Sequence, residues 1–293
     1  MIENVGSPKV NQALGALSVL ANTRTVEVNL PVLKTKAMVT PLLGSEELQL
    51  ETMKVSGATF IQTYNKVLYS HCTFSDLAFE NFEDFEKHLT PSDKMALSFG
   101  LLDATFSELP ERLIKCPKCK TADTYSVSPD ALVHDDTFTK EWDKDDYNEF
   151  EVTSEIVKGF RVTFQMPTES ERLKVVRYKE DSELRNEVES TGDILSPMEL
   201  FCIYIKRIEI DSLEEDVDTL VLDDKVKDII PTLKEMPFDL KAKLLDDKAI
   251  AIFTEYSPNF YLQLTCGKCA HEFNWNNISP EQDFFRKALS VYN

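Results

Sequence analysis

Glycine, histidine and basic residues are scarce in this chain of 293 residues, and each scarcity removes a class of function. Only eight glycines occur, and neither the dinucleotide-binding nor the phosphate-loop glycine pattern is among them. The four histidines, His71, His88, His134 and His271, are scattered along the sequence. His271-Glu272 opens like a zinc-protease motif, but Trp275 stands where the second histidine belongs. A nucleic-acid deaminase needs His-x-Glu with Pro-Cys-x-x-Cys, and neither half is present. Lys and Arg number 32 against 51 Asp and Glu, a formal net charge of -19, with no Lys/Arg-dense run. Nucleic-acid binding needs a basic face to neutralise phosphates, so none is expected. No apolar run reaches membrane-spanning length, and the N-terminus lacks a basic stretch followed by an apolar one. A product made in the cytoplasm, with no membrane partner, is the expectation. The carboxylates are too many to single out an acid–base pair, so no enzyme activity is assigned.

Cysteine is where the sequence becomes specific. Four of the six cysteines form two Cys-x-x-Cys pairs, Cys116-Pro117-Lys118-Cys119 and Cys266-Gly267-Lys268-Cys269. This spacing lets both thiolates of a pair reach one tetrahedral metal ion, and two pairs complete a sphere. Leu113-Ile114 leads into the first pair and Thr124-Tyr125-Ser126-Val127 leads out. Phe260 to Leu264 leads into the second, and Phe273-Asn274-Trp275 leads out. Strand, knuckle, strand, twice over, is a zinc-ribbon layout, split here by an insertion, since 147 positions separate Cys119 from Cys266. Reduced structural thiols or two redox dithiols are the alternatives. A thioredoxin-like dithiol opens a helix after a strand, and neither pair does so clearly. A structural zinc ion on Cys116, Cys119, Cys266 and Cys269 is therefore expected, with iron as the other candidate metal. Four thiolates leave no open position for a catalytic water. Cys72 and Cys202 sit in apolar surroundings and read as buried free thiols.

The expected fold class is α+β, a mainly helical body with a small antiparallel β part and the split zinc ribbon. Four regions follow from the pattern. Residues 1–24 form a flexible N-terminal arm. Residues 25–129 hold a strand pair, a helical subdomain and the first half-ribbon. Here Val26, Val28 and Leu30 alternate with polar residues, and Lys36–Leu42 forms a second strand. A helical pattern runs from Leu48 through Leu68, broken at Gly57, and Phe74 to Phe85 forms an aromatic core stretch. Thr90-Pro91-Ser92-Asp93 signals a helix start. Residues 130–257 form an acidic loop between His134 and Glu151 followed by an α/β insertion. Its parts are a strand at Phe160–Met166, a highly charged surface helix after Thr168, a buried helix after Ser196, and short strands at Ile208–Ile210 and Leu220–Leu222. Short helices follow, divided at Pro231 and Pro237, the last starting near Phe238. Residues 258–293 hold the second half-ribbon and a C-terminal helix opened by Ser279-Pro280.

Two stretches carry a resemblance. The segment Thr265 to Phe273, with Ser279-Pro280 and Asp283-Phe284-Phe285-Arg286, resembles baseplate hub proteins of T-even-like, contractile-tailed bacteriophages. Leu30-Pro31, then Lys36 to Leu42 and Gly44-Ser45-Glu46-Glu47, resembles the opening of that family. The likeness covers the first third and the last thirty-odd residues, and leaves about 130 to 255 unmatched. It implies a non-enzymatic virion part at the centre of the tail baseplate. Other hub, spike and tape-measure proteins would be its partners, in a homo-oligomer or hetero-complex, and the four cysteines its metal site. The rival expectation is a zinc-ribbon adaptor binding a transcription or replication protein.

Overall fold

The computed structural model describes residues 24–43, 46, 57–135, 148–152, 159–185, 196–211, 219–237, 258–276, 278–281 and 283. The arm before residue 24, the Leu48–Met53 helical pattern, most of the acidic loop, the helix near Phe238 and most of the C-terminal helix lie outside these residues.

Strand β1 (Val26–Leu30) and strand β2 (Thr35–Val39) form the expected hairpin, with Val28 opposite Ala37. Val28, Leu30, Ala37 and Val39 point inward and are buried, while Glu27, Asn29 and Lys36 alternate outward. Strand β3 (Cys72–Phe74) adds a third antiparallel strand to β2. Helix α3 (Pro91–Thr105) lies on this sheet, and α1 (Gly57–His71) and α2 (Phe82–His88) join it in the same core. Gly57 opens α1 at φ 85, where a Cβ would also collide with the Glu180 carboxylate. The Thr90 hydroxyl accepts from Asp93 N at 3.2 Å with Pro91 in the first turn, as the residue types predict. Helix α3 is buried almost all round, with Ala96, Leu97, Leu101 and Leu102 sealed from solvent. Each such leucine contributes roughly 2 kcal/mol of apolar burial. Gly100 lets the helix lie close on the hairpin, because a Cβ there would stand 2.9 Å from Val28 and Val39 methyls. Phe74, Phe79 and Phe85 meet at ring distances of 5.1 to 5.9 Å, so the aromatic stretch is core.

The next elements bring distant parts of the chain together. Strands β4 (Leu109–Lys115) and β5 (Ala122–Val127) form one hairpin. Strand β6 (Leu132–Asp135) follows directly. It pairs with β11 (Asn259–Thr265), which pairs in turn with β12 (Glu272–Trp275). Asp135 and Asn259 are register partners, so the chain departs from and rejoins this ladder at one point. Phe260 on β11 stacks on Phe99 of α3 at 4.8 Å, which fixes the late segment to the early core.

A second core lies between these two points in sequence. Strands β7 (Asn148–Val152), β8 (Phe160–Phe164), β9 (Ile205–Ile210) and β10 (Leu220–Leu222) form an antiparallel sheet in the order β10-β9-β8-β7. Two ends of the predicted acidic loop are thus strands β6 and β7. Helices α4 (Glu169–Arg185), α5 (Pro197–Tyr204) and α6 (Ile230–Glu235) pack around it. The helices expected after Thr168 and Ser196 each open with a capping box, Thr168 with Glu171 and Ser196 with Glu199. Pro231 sits in the first turn of α6, directly after a π-helix over Lys225–Ile229, so a boundary between short helices falls there as expected.

The predicted surface helix, α4, is the largest departure. Leu173 and Val176 pack on Ala58 and Ile61 of α1, while Val175 enters the second core. Its first residue, Glu169, is fully buried and bonded to Lys94 Nζ at 3.0 Å. A helix with few apolar positions becomes interior when its charged residues find partners inside. The observed class is mixed α+β, with six helices and twelve strands in small antiparallel sheets among the described residues.

Candidate metal centre

The two knuckles are built on one plan. Strand β4 delivers Cys116, whose N–H donates to Thr121 O at 2.9 Å, and Lys120 N donates back to Cys116 O at 3.0 Å. Strand β11 delivers Cys266, whose N–H donates to His271 O at 2.9 Å, and Ala270 N donates to Cys266 O at 2.9 Å. In each the residue after the second cysteine is left-handed, Lys120 at φ 60 and Ala270 at φ 51. That conformation suits glycine, and a side chain there costs about 1 kcal/mol. Both loops hold it all the same, and the turn brings Thr121 O back to Cys116 N and His271 O back to Cys266 N.

All four predicted cysteines come together. Cys116 Sγ lies 3.7 Å from Cys269 Sγ, and Cys119 Sγ lies 3.6 Å from Cys266 Sγ. The four sulfurs lie within 4.8 Å of one another. Four thiolates on a tetrahedral ion with bonds of about 2.3 Å would place their sulfurs about 3.8 Å apart, so the cluster fits a single ion. A disulfide would need roughly 2 Å, and all the cysteines are free thiols. The first cysteine of each knuckle faces the second of the other, so the two half-sites are related by an approximate two-fold.

The electrostatics are those of a site that shares negative charge. The Thr121 hydroxyl and N–H bring Cys119 down to about 6. Burial opposes ionisation of Cys116, but the N–H groups of Cys119 and Lys118 outweigh it and hold this thiol below its ordinary value. The His271 N–H favours the Cys269 thiolate, yet burial and the three neighbouring sulfurs push it up to about 11. Four thiolates cannot crowd together without a cation, and a divalent ion removes that conflict. Lys118 and Lys268 occupy equivalent knuckle positions and place positive charge beside the surplus negative charge. The surroundings hold the halves in place: Arg112 of β4 pairs with Asp283, and Leu264 and Trp275 pack on the first core.

The remaining candidates do not join the cluster. The His71 ring bonds the Thr40 hydroxyl at 3.2 Å and Glu46 at 2.9 Å, away from the thiols. Both other thiols are pushed up to about 12 by burial; Cys202 is fully buried as expected, whereas Cys72 is only half-buried on β3. The His271 ring stacks beside Phe273. Sequence reasoning missed Thr121, although a hydroxyl two residues beyond a knuckle cysteine is a legible hydrogen-bond donor. Among the described residues no helix is long and apolar enough to cross a membrane. No protein-family model, no curated protein and no solved structure matches the chain.

Proposed function

We propose that this chain is a structural component of a contractile-tail baseplate hub. One zinc ion on Cys116, Cys119, Cys266 and Cys269 would clasp its early and late segments into one rigid body. The observation that carries the clasp is the convergence of four thiols, from segments about 150 positions apart, within 4.8 Å. Because no such site exists in the unfolded chain, the binding free energy of the ion is largely folding free energy. The tail assignment is supported by the resemblance at both ends of the sequence. The late stretch is also held to the early core, by Phe260 stacked on Phe99 and by the four thiols. A hub part needs a body that stays folded under load and several surfaces for neighbours, and this architecture supplies the first. Its partners would be hub, spike and tape-measure proteins rather than nucleic acid, in keeping with the acidic surplus.

Proteomics of purified tails and isolated baseplates tests the assignment. The reading expects the chain in the baseplate fraction at a fixed ratio to hub proteins, and density for it near the tube tip. Absence from tails, with co-purification of polymerase or replisome subunits, would instead establish the zinc-ribbon adaptor.

A further inference from the structure

We infer that the metal centre is also an oxidation site: a peroxide-class oxidant converts its four thiols into two disulfides that cross between the knuckles, Cys116 to Cys269 and Cys119 to Cys266. The joint between the early and late segments thereby passes from a metal ion to covalent bonds. The release of an ion rests on the zinc reading above, while the pairing rests on the thiol geometry alone.

Three observations carry the pairing. First, sulfur meets sulfur across the gap between the loops. Cys116 Sγ stands 3.7 Å from Cys269 Sγ, and Cys119 Sγ stands 3.6 Å from Cys266 Sγ. A disulfide spans about 2 Å, so each sulfur has only about 0.8 Å to travel. Second, each crossing pair joins a half-buried thiol to a buried one. Cys119 and Cys269 are half-buried, and Cys116 and Cys266 are buried. An oxidant reaches the first kind from solvent, and a resolving thiol stands behind it in the other loop.

Third, the loops are held face to face by contacts that need no metal. The first knuckle hangs from β5, which runs through a short turn at Pro129–Ala131 into β6. The second hangs from β11, the ladder partner of β6. Phe260 of β11 stacks on Phe99 at 4.8 Å, and Arg112 of β4 pairs with Asp283. The crossing sulfurs therefore stay neighbours when an ion leaves. Cys72 and Cys202 stand outside the cluster and take no part.

Each disulfide consumes a single molecule of hydrogen peroxide. The half-buried thiolate attacks a peroxide oxygen: an S–O bond forms, the O–O bond breaks and hydroxide leaves. The buried thiolate across the gap then attacks that sulfur: the S–S bond forms, the S–O bond breaks and a second hydroxide leaves. The two sulfurs together give two electrons to the peroxide, and solvent protons convert the hydroxides to water. Disulfide sulfurs carry no charge, so they no longer hold a divalent ion. The bridges span 153 and 147 positions, so each constrains the unfolded chain strongly. Disulfides inside the knuckles would close only the short loops and leave the two segments unfastened.

The test treats the full-length, reduced, zinc-quantified chain with hydrogen peroxide beside a colorimetric zinc indicator. Unreacted thiols are then alkylated, and linkages are mapped by mass spectrometry of an unreduced tryptic digest. Lys118 and Lys268 lie between the cysteines of their knuckles, so trypsin separates all four. The expected map joins Cys116 fragments to Cys269 fragments and Cys119 to Cys266, with about one zinc released per chain. A strong chelator should lower the melting temperature of the reduced chain by more than about 10 °C and leave that of the oxidised chain unchanged. The double variant Cys116→Ser with Cys269→Ser should still link Cys119 to Cys266. Linkage inside a knuckle, Cys116 joined to Cys266, or sulfinic acids without linkage overturns the inference. A reduced chain that holds no zinc counts against the metal reading alone, since the linkage map still decides the pairing.

Discussion

At the knuckles the chain is fastened by four thiols around a shared centre; at the meeting of α3 and α4 it is fastened by charges enclosed in protein. Lys94 Nζ lies 3.0 Å from Glu169 and 3.4 Å from Glu281, while Arg172 reaches Glu169 at 3.4 Å. Asn65 Nδ2 donates to Glu86 at 3.3 Å, and Glu169 N donates to Leu89 O at 2.7 Å. Burial alone would raise Glu169, but the Lys94 and Arg172 charges outweigh it and hold the carboxyl below its ordinary value. Both joints are polar, and both unite segments remote in sequence. They differ in what completes them. On the proposed reading the thiol joint is completed by a metal ion, and its strength would then vary with metal concentration and proton activity. The ionic joint is complete within the chain, and its desolvation cost leaves little net stability while making either partner costly to remove alone.

The most severe way to break this contrast is to disable the thiol joint. Structural zinc contributes on the order of 10 kcal/mol in small metal-dependent domains. Cys119→Ser, or a strong chelator, should lower the melting temperature by more than about 10 °C, and added zinc should restore only the chelated wild type. Calorimetry with and without metal reads this directly. A melting temperature indifferent to both treatments would leave the ionic joint as the main fastening.

Lys94→Met comes next. Stranding buried Glu169 should cost about 3–5 kcal/mol in urea unfolding. Adding Glu169→Gln should recover part of that, because the orphaned charge is gone. A double mutant no better than the single would show that the charges matter less than the shape they fill.

Proton dependence sharpens the contrast further. Burial raises Asp93 to about 6, although the Thr90 hydroxyl and the Val32 and Leu33 N–H groups stabilise its charged form. The folded state therefore holds a proton that the unfolded state has lost between about pH 6 and the ordinary carboxylate range near 4. Stability from this group rises as pH falls through 6 and declines as pH climbs. Glu169 runs the other way, its contribution being lost as pH falls through its lowered folded value. In Asp93→Asn the amide oxygen can still accept from Val32 and Leu33, so the acid-side gain should vanish while the fold remains. Equilibrium unfolding at pH 4.5, 6 and 7.5, as wild type minus variant, isolates it.

The smallest effect concerns knuckle geometry. Ala270→Gly should stabilise the metal-loaded chain by up to about 1 kcal/mol, since glycine accepts the left-handed backbone without strain. Lys120→Gly should match it if the knuckles are equivalent. Unequal gains would show that the approximate two-fold is only superficial.

Local signals in this sequence were legible where they were self-contained. Thr90-Pro91, Thr168 with Glu171, and Ser196 with Glu199 each cap a helix within four residues, and all three form as read. The alternation in β1 and β8 is equally local. The meeting of the four thiols was foreseeable because coordination chemistry links distant cysteines where propensity cannot. The interior role of α4 was hidden, since its partners Lys94 and Asn65 lie far away in sequence and charged residues ordinarily face water. Lys225 was hidden for the same reason. Its Nζ donates to Ile203 O and Ile205 O at 2.7 Å, capping the end of α5 from another element.

X-ray absorption at the metal edge of the purified, metal-quantified chain tests the central claim most directly. The account predicts one zinc per chain with four sulfur neighbours at about 2.3 Å, falling to three in Cys119→Ser and in Cys266→Ser alike. Two sulfurs per metal, or one knuckle still loaded when the other is disabled, would contradict a single shared ion.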